Sequence, residues 1–193
     1  MMRRGLWIAV GVVVVIVFAA LLVFGSYVSA KNQMVAKQEG VQAVWSNVQS
    51  ELQRRADLIP NLVATVKGYA AHEETVFGEV DKAREALLAA KDPQSSIKAN
   101  GQLDQALGHL LMVTENYPNL KANENFLQLQ DQLEGSENRI NTMRQRYNDS
   151  IRDYNTYIRQ FPNSIWAGIA GFKPNDAYFE ATPASQAAPQ VKF

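Results

Sequence analysis

The sequence predicts an all-α fold, in which an N-terminal transmembrane helix is followed by an antiparallel bundle of four long helices. Three observations lead there. The run from Leu6 to Phe24 carries no charged or strongly polar side chain. Beyond it, apolar residues recur at alternating spacings of three and four, which places them on one helical stripe. Between residues 31 and 161, Gly and Pro are sparse while Ala, Gln, Glu, Leu and Arg abound, a composition of helix formers.

Composition bounds the rest. A chain of 193 residues suits one domain with appendages. They read as a short flank (1–5), a transmembrane helix (6–27), a helical bundle (31–172) and a flexible C-terminal tail (173–193). The 19 basic and 19 acidic residues balance, so no electrostatic footprint for nucleic acid is expected. The absence of cysteine removes disulfides, thiolate metal sites and cysteine nucleophiles.

At 1.5 Å per residue the apolar run spans roughly 28 Å, close to the thickness of a bilayer core. Trp7 and Tyr27 stand at its two ends, where amphipathic rings suit the headgroup region. A cleaved signal peptide is the competing account, with Val28-Ser29-Ala30 as its small-residue site, but a signal's apolar core is usually about 7–15 residues. Arg3 and Arg4 flank one side, Lys31 and Lys37 the other. The bias slightly favours a cytoplasmic N-terminus, hence a bundle on the extracytoplasmic side of a bacterial inner membrane.

The first stripe is Val41, Trp45, Val48, Leu52. The second is Leu62, Val66, Tyr69, then Val76, Val80, Ala83, Leu87, with Glu73 as a polar break. The third is Leu103, Leu107, Leu110, Thr114, Tyr117. The fourth runs from Phe126 through Ser136, Ile140, Tyr147 and Tyr154 to Phe161. Four such stripes can bury one another. Breakers separate them: Pro60-Asn61, Lys91-Asp92-Pro93, Pro118-Asn119 and Pro162-Asn163. Proline disfavours helical geometry before it, and a following Asn can cap the next helix, so each is read as a boundary. Pro60 and Pro118 would then mark the membrane-distal end, and residues 165–172 would fall near the bilayer surface. Gly135 is a candidate bend in the fourth helix.

Particular residues resemble a known family. Trp45-Ser46-Asn47-Val48, the stretch Gln53-Arg54-Arg55-Ala56-Asp57-Leu58-Ile59-Pro60-Asn61-Leu62-Val63 and Val66-Lys67-Gly68-Tyr69 are similar to the LemA family. So are Glu115-Asn116-Tyr117-Pro118-Asn119-Leu120-Lys121 and Leu133-Glu134-Gly135-Ser136-Glu137-Asn138-Arg139-Ile140, with Tyr147-Asn148, Tyr154-Asn155 and Phe161-Pro162 following in order. The resemblance implies a membrane-anchored antiparallel bundle of long helices. It implies no biochemical activity.

No catalytic or cofactor-binding constellation emerges, and no cofactor or metal is expected. The histidines are His72 and His109, and Tyr69 and Ala106 stand three residues before them, so Glu-x-x-His fails at both. A second histidine to complete His-Glu-x-x-His is missing, as are a nucleophile elbow and a phosphate-binding glycine loop. Three groups are candidates for partner binding. Arg54, Arg55 and Asp57 offer a guanidinium fork near a helix end, against which stands ordinary helix-dipole and i,i+3 chemistry. Asn148 and Asn155 lie seven apart beside Tyr147 and Tyr154, a pattern that fits either flanking polar residues or a ladder selecting a partner helix. Val191 and Phe193, around Lys192, suit strand addition to a PDZ-containing protease or adaptor. Trp7, Tyr27 and Trp166 are candidates for the membrane interface. The expectation is a non-catalytic scaffold or adaptor displaying its bundle to protein partners, bound to lipid through the anchor and able to homo-oligomerise. The alternative is a membrane-organising protein that acts by lateral assembly.

Overall fold

The computed structural model describes residues 2–179, and among them it contains six helices and no strand. They are α1 (Met2–Lys67), α2 (Glu74–Ala89), α3 (Pro93–Thr114), α4 (Pro118–Lys121), α5 (Glu124–Arg159) and α6 (Asn163–Ala170). The described residues fall into two units, one of residues 2–41 and 150–175, the other of 42–149 and 176–179.

The first unit holds the apolar part of α1. It belongs to the one helix, among the described residues, that is long and apolar enough to cross a membrane. Val12 to Phe18 and Leu21 to Phe24 are all exposed, so this stretch has no protein core to explain its hydrophobicity. Further along, Ala30, Met34 and Val41 of α1 are buried, as are Ile151, Tyr154 and Ile158 of α5 and Ala167 of α6. Lys37 lies with Nζ 5.6 Å from the Tyr157 ring centroid, and Tyr27 meets Trp166 edge-on at 5.7 Å.

In the second unit, α1 and α5 run antiparallel. Trp45 meets Tyr147, Glu51 accepts from Arg139, Glu137 accepts from Arg55, and Tyr69 accepts from Asn123. The helix α2 turns back on α1, with Arg84 reaching Ala56 and Lys67 capping the Phe77 ring, while His109 of α3 meets Glu79 of α2. Val41, Trp45, Val48 and Leu52 are buried as their spacing requires, and so are Leu103, Leu107, Leu110 and Thr114. Two stripe positions are exposed: Tyr69 at 42% and Phe161 at 82%. Both stand in the turns that follow long helices, where the helical period no longer orients a side chain. The helix α5 passes through Gly135 without a break.

The boundary expected at Pro60 does not exist. Pro60 lies inside α1, which continues to Lys67, and the turn to α2 occupies residues 68–73. A proline inside a helix removes one N–H and strands the carbonyl four residues back. That carbonyl is Ala56 O, and Arg84 Nε of α2 donates to it at 2.8 Å. The Pro60 ring is exposed, so it displaces nothing in the core. The other boundaries hold. Pro93 opens α3 behind Asp92, whose side chain accepts from Ser95 N at 2.9 Å in a reciprocal capping box. These Ser95 bonds also hold the Asp92 carboxyl below its usual pKa. Pro118 opens α4, and Asn123 caps α5 by accepting from Phe126 N. The polar break Glu73 accepts from the Tyr117 hydroxyl at 3.3 Å, so the turn end of this unit is cross-linked by polar pairs.

Residues 173–179, expected to be flexible, are held. In the first unit, Asn155 donates to Asn175 O and accepts from Asn175 N, both at 2.8 Å, and Tyr154 donates to Lys173 O. In the second, Asn148 does the same to Phe179, with both bonds at 2.9 Å. The Phe179 ring packs edge-on against Tyr147 at 5.6 Å and beneath Arg144 at 4.9 Å.

The Pro60 account predicts a coupling. Arg84→Ala destabilises the protein by about 1.5 kcal/mol, the low end for one hydrogen bond to a charged donor, and less once Pro60→Ala returns the missing N–H. Denaturant midpoints of the two single variants and the double variant measure this. Strict additivity would show that Arg84 does not satisfy the carbonyl that Pro60 strands.

Candidate functional site

Arg55 stands on the buried stripe of α1 between Leu52 and Ile59 and is only 6% exposed. A guanidinium placed there needs acceptors, because an unpaired buried charge is strongly destabilising. The helices α3 and α5 provide them. Arg55 Nη1 donates to Asn100 Oδ1 at 3.0 Å and pairs with Asp104 Oδ1 and Glu137 Oε2, each at 2.7 Å. Asn100 is oriented in turn by donating to Asp104 Oδ2 at 3.3 Å. One cation thus joins three helices. Its carboxylate partners keep some water, with side-chain exposures of 40% for Asp104 and 31% for Glu137, so the cluster opens to the surface. Arg55 Nε is buried and has no hydrogen-bond partner among the described residues.

The cluster lines a groove of about 460 Å³, within the size range of ligand sites. Its apolar walls are Leu62 of α1, Leu107 and Leu111 of α3, and Leu133 of α5. Leu111 is 39% exposed. Gly108 lies between the α3 leucines, and a Cβ there would meet nothing within 4 Å. The charged lining is three carboxylates, Asp104, Glu134 and Glu137, against the single guanidinium of Arg55. The groove is therefore greasy along its walls and net negative. A site built this way favours an apolar body carrying positive charge.

Converging carboxylates are also what a hydrolytic site would show. Here two of the three are bound to Arg55, and among the described residues no group of three or more His, Asp or Glu side chains is placed to hold a metal ion. Both histidines are exposed, and His109 is 3.1 Å from Glu79, away from the groove.

The residues singled out in the sequence divide in three. Arg54 and Asp57 are exposed, with Asp57 accepting from Gln53, whereas Arg55 turns its guanidinium inward instead of offering the fork to a partner. Asn148 and Asn155 spend both ends of their amides on the backbone of this chain, so they form no outward ladder for a partner helix. Trp7 is 75% exposed, and Tyr27 and Trp166 are in ring contact. Val191 and Phe193 lie outside the described residues. Sequence reasoning missed Asn100, Asp104, Glu137 and the groove leucines. The available signal was Arg55 itself, a cation three residues after Leu52 and four before Ile59, but a helix ended at Pro60 hides that it sits on a stripe.

A family model described as the LemA family matches residues 44–193. The chain belongs to the LemA family. The chain is 30% identical over 179 residues to the magnetosome protein MamQ 2 of Paramagnetospirillum magneticum, covering 79% of this chain and 65% of that protein. It is 29% identical to MamQ of Magnetospirillum gryphiswaldense with the same coverage, and 26% identical over 136 residues to the protein LemA of Metamycoplasma hominis, covering 70% and 62%. This LemA family chain thus spans about 65% of the length of the MamQ relatives it matches. Arg55, Asn100, Asp104, Glu137 and all four groove leucines fall inside the family match.

Removing the cation is expected to be costly. Arg55→Ala strands two carboxylates and leaves a gap on the α1 stripe. The loss should be about 2–4 kcal/mol, since the carboxylates can rehydrate and soften the usual penalty for breaking a buried pair. Arg55→Lys should recover only part, because the shorter lysine stem ends short of the point where Nη1 meets Asn100, Asp104 and Glu137. Urea denaturation of both variants checks this. A Lys variant as stable as the wild type would show that charge alone suffices.

Proposed function

We propose that this chain is a membrane-anchored, non-catalytic adaptor whose bundle presents the leucine groove to a basic amphipathic helix of a partner protein. The groove carries the proposal: four leucines supply an apolar floor of the kind that accepts i, i+3/i+4, i+7 anchors, and the excess carboxylates favour Lys or Arg beside those anchors. The exposed apolar stretch of α1 supports tethering to a bilayer. Arg3 and Arg4 favour a cytoplasmic N-terminus, with the bundle on the extracytoplasmic side. A second account, a membrane-organising protein acting by lateral assembly, draws on the exposed Ile165 and Ile169 of α6.

A photo-reactive residue at Leu111 in the full-length protein tests the groove in native membranes. The expected adduct is to a partner segment with helically spaced apolar residues and flanking Lys or Arg. Gly108→Trp should abolish it while leaving the fold intact, because that position faces open space and leaves a residue of low helix propensity. Adducts that survive Gly108→Trp, or that map only to this chain, would reject the groove as a partner site. Orientation is read separately. With no native cysteine, Lys91→Cys gives a unique thiol that should react with a membrane-impermeant maleimide on spheroplasts. Reaction only after lysis would place the bundle inside.

A further inference from the structure

We infer that α6 is an interfacial helix whose outer face rests in the headgroup layer of the bilayer, as a second lipid contact beside the anchor. This inference is independent of partner docking at the groove. It starts from an imbalance within the first unit. Residues 160–172 contain no charged side chain, while Arg159 and Lys173 bracket them. In water such a segment should bury its large apolar residues. Instead Ile165 is 51% exposed, Ile169 67% and the preceding Phe161 82%. Ile165 and Ile169 are four apart, so they share one stripe of α6.

The opposite side of α6 is occupied. Ala167 is buried, and the Trp166 ring packs edge-on against Tyr27 of α1 at 5.7 Å. Trp166 therefore holds α6 to the anchor helix, and the aliphatic stripe is what faces outward. The contact also fixes depth. Tyr27 lies three residues past Phe24, the end of the apolar run, which is about 4.5 Å of helical rise. An α6 held at Tyr27 thus stands at the level where the hydrocarbon core gives way to headgroups, so the lipid contact of α1 is continued by the α6 stripe. The cations at Arg159 and Lys173 suit the phosphates of that layer. The helix ends cleanly at Gly171, which takes a left-handed φ of 79°, while Phe172 N donates back to Ala167 O at 3.0 Å. A second copy of the chain is the other occupant the stripe could take. Continuity with the apolar run and the flanking cations favour lipid.

The test uses the full-length protein in phosphatidylcholine vesicles, with and without phosphatidylglycerol. Ile169→Cys provides a single thiol for an environment-sensitive fluorophore, since the chain has no other cysteine. Gln38→Cys is the control, exposed on α1 and about 21 Å of rise beyond Phe24. The label at 169 should be blue-shifted and quenched by shallow spin-labelled lipid, while the label at 38 is neither. With the label moved to Phe161→Cys, adding Ile165→Ser and Ile169→Ser should remove its quenching while the anchor keeps the protein in the vesicles. Water-like, unquenched emission at 169 would overturn the inference. So would a blue shift that lipid quenchers do not touch and that fades on dilution with unlabelled protein, because that result assigns the stripe to a second copy.

Discussion

A guanidinium buried among leucines constrains everything packed around it. Arg55 cannot stay charged and covered unless acceptors reach it from several directions, and in this bundle they come from α3 and α5. That requirement fixes where Asn100, Asp104 and Glu137 lie against α1. It also leaves carboxylate at the surface, since Asp104 and Glu137 face Arg55 with one side and water with the other. The leucine groove with its negative lining is a by-product of the same arrangement. The packing of three helices and the charge of the groove thus rest on one residue.

Much of the fold was legible because it depends on periodicity and composition. The buried residues of α1 from Val41 to Leu52, the buried Leu103, Leu107, Leu110 and Thr114 of α3 and most of those of α5 follow from three-and-four spacing, and the Asp92-Pro93 and Pro118 boundaries follow from proline's effect on the residue before it. The Pro60 boundary failed for a reason no local rule contains. A proline's stranded carbonyl is a local fact, but its remedy is Arg84, a residue 28 positions away. The error propagated, because ending α1 at Pro60 removes Arg55 from the middle of a stripe and makes it look like a residue at an exposed tip. The site was illegible for the same cause that misplaced the helix end.

The asparagines teach a related lesson. Asn148 and Asn155 were conspicuous by their heptad spacing, which fitted either polar residues flanking an aromatic core or a ladder for a partner helix. Each amide instead offers one donor and one acceptor to a single backbone residue, Phe179 and Asn175 respectively. A side-chain amide pairs with an extended backbone as a neighbouring strand would. Nothing in the Pro- and Ala-rich composition after Phe172 announces this, since the tail contributes main-chain groups, which composition does not register. Polar residues that look like an interface can be spent inside the chain.

The most direct measurement is of the Arg55 guanidinium itself. In the folded, full-length protein, side-chain nitrogen–proton NMR should show Arg55 with a resolved, slowly rotating Nη1 group whose protons exchange with water far more slowly than those of Arg54, which is exposed on the same turn of α1. A guanidinium gripped by three acceptors has to behave so. Rapid rotation and water-like exchange at Arg55, indistinguishable from Arg54, would contradict the account, because a mobile, hydrated cation could not set the packing of α1, α3 and α5.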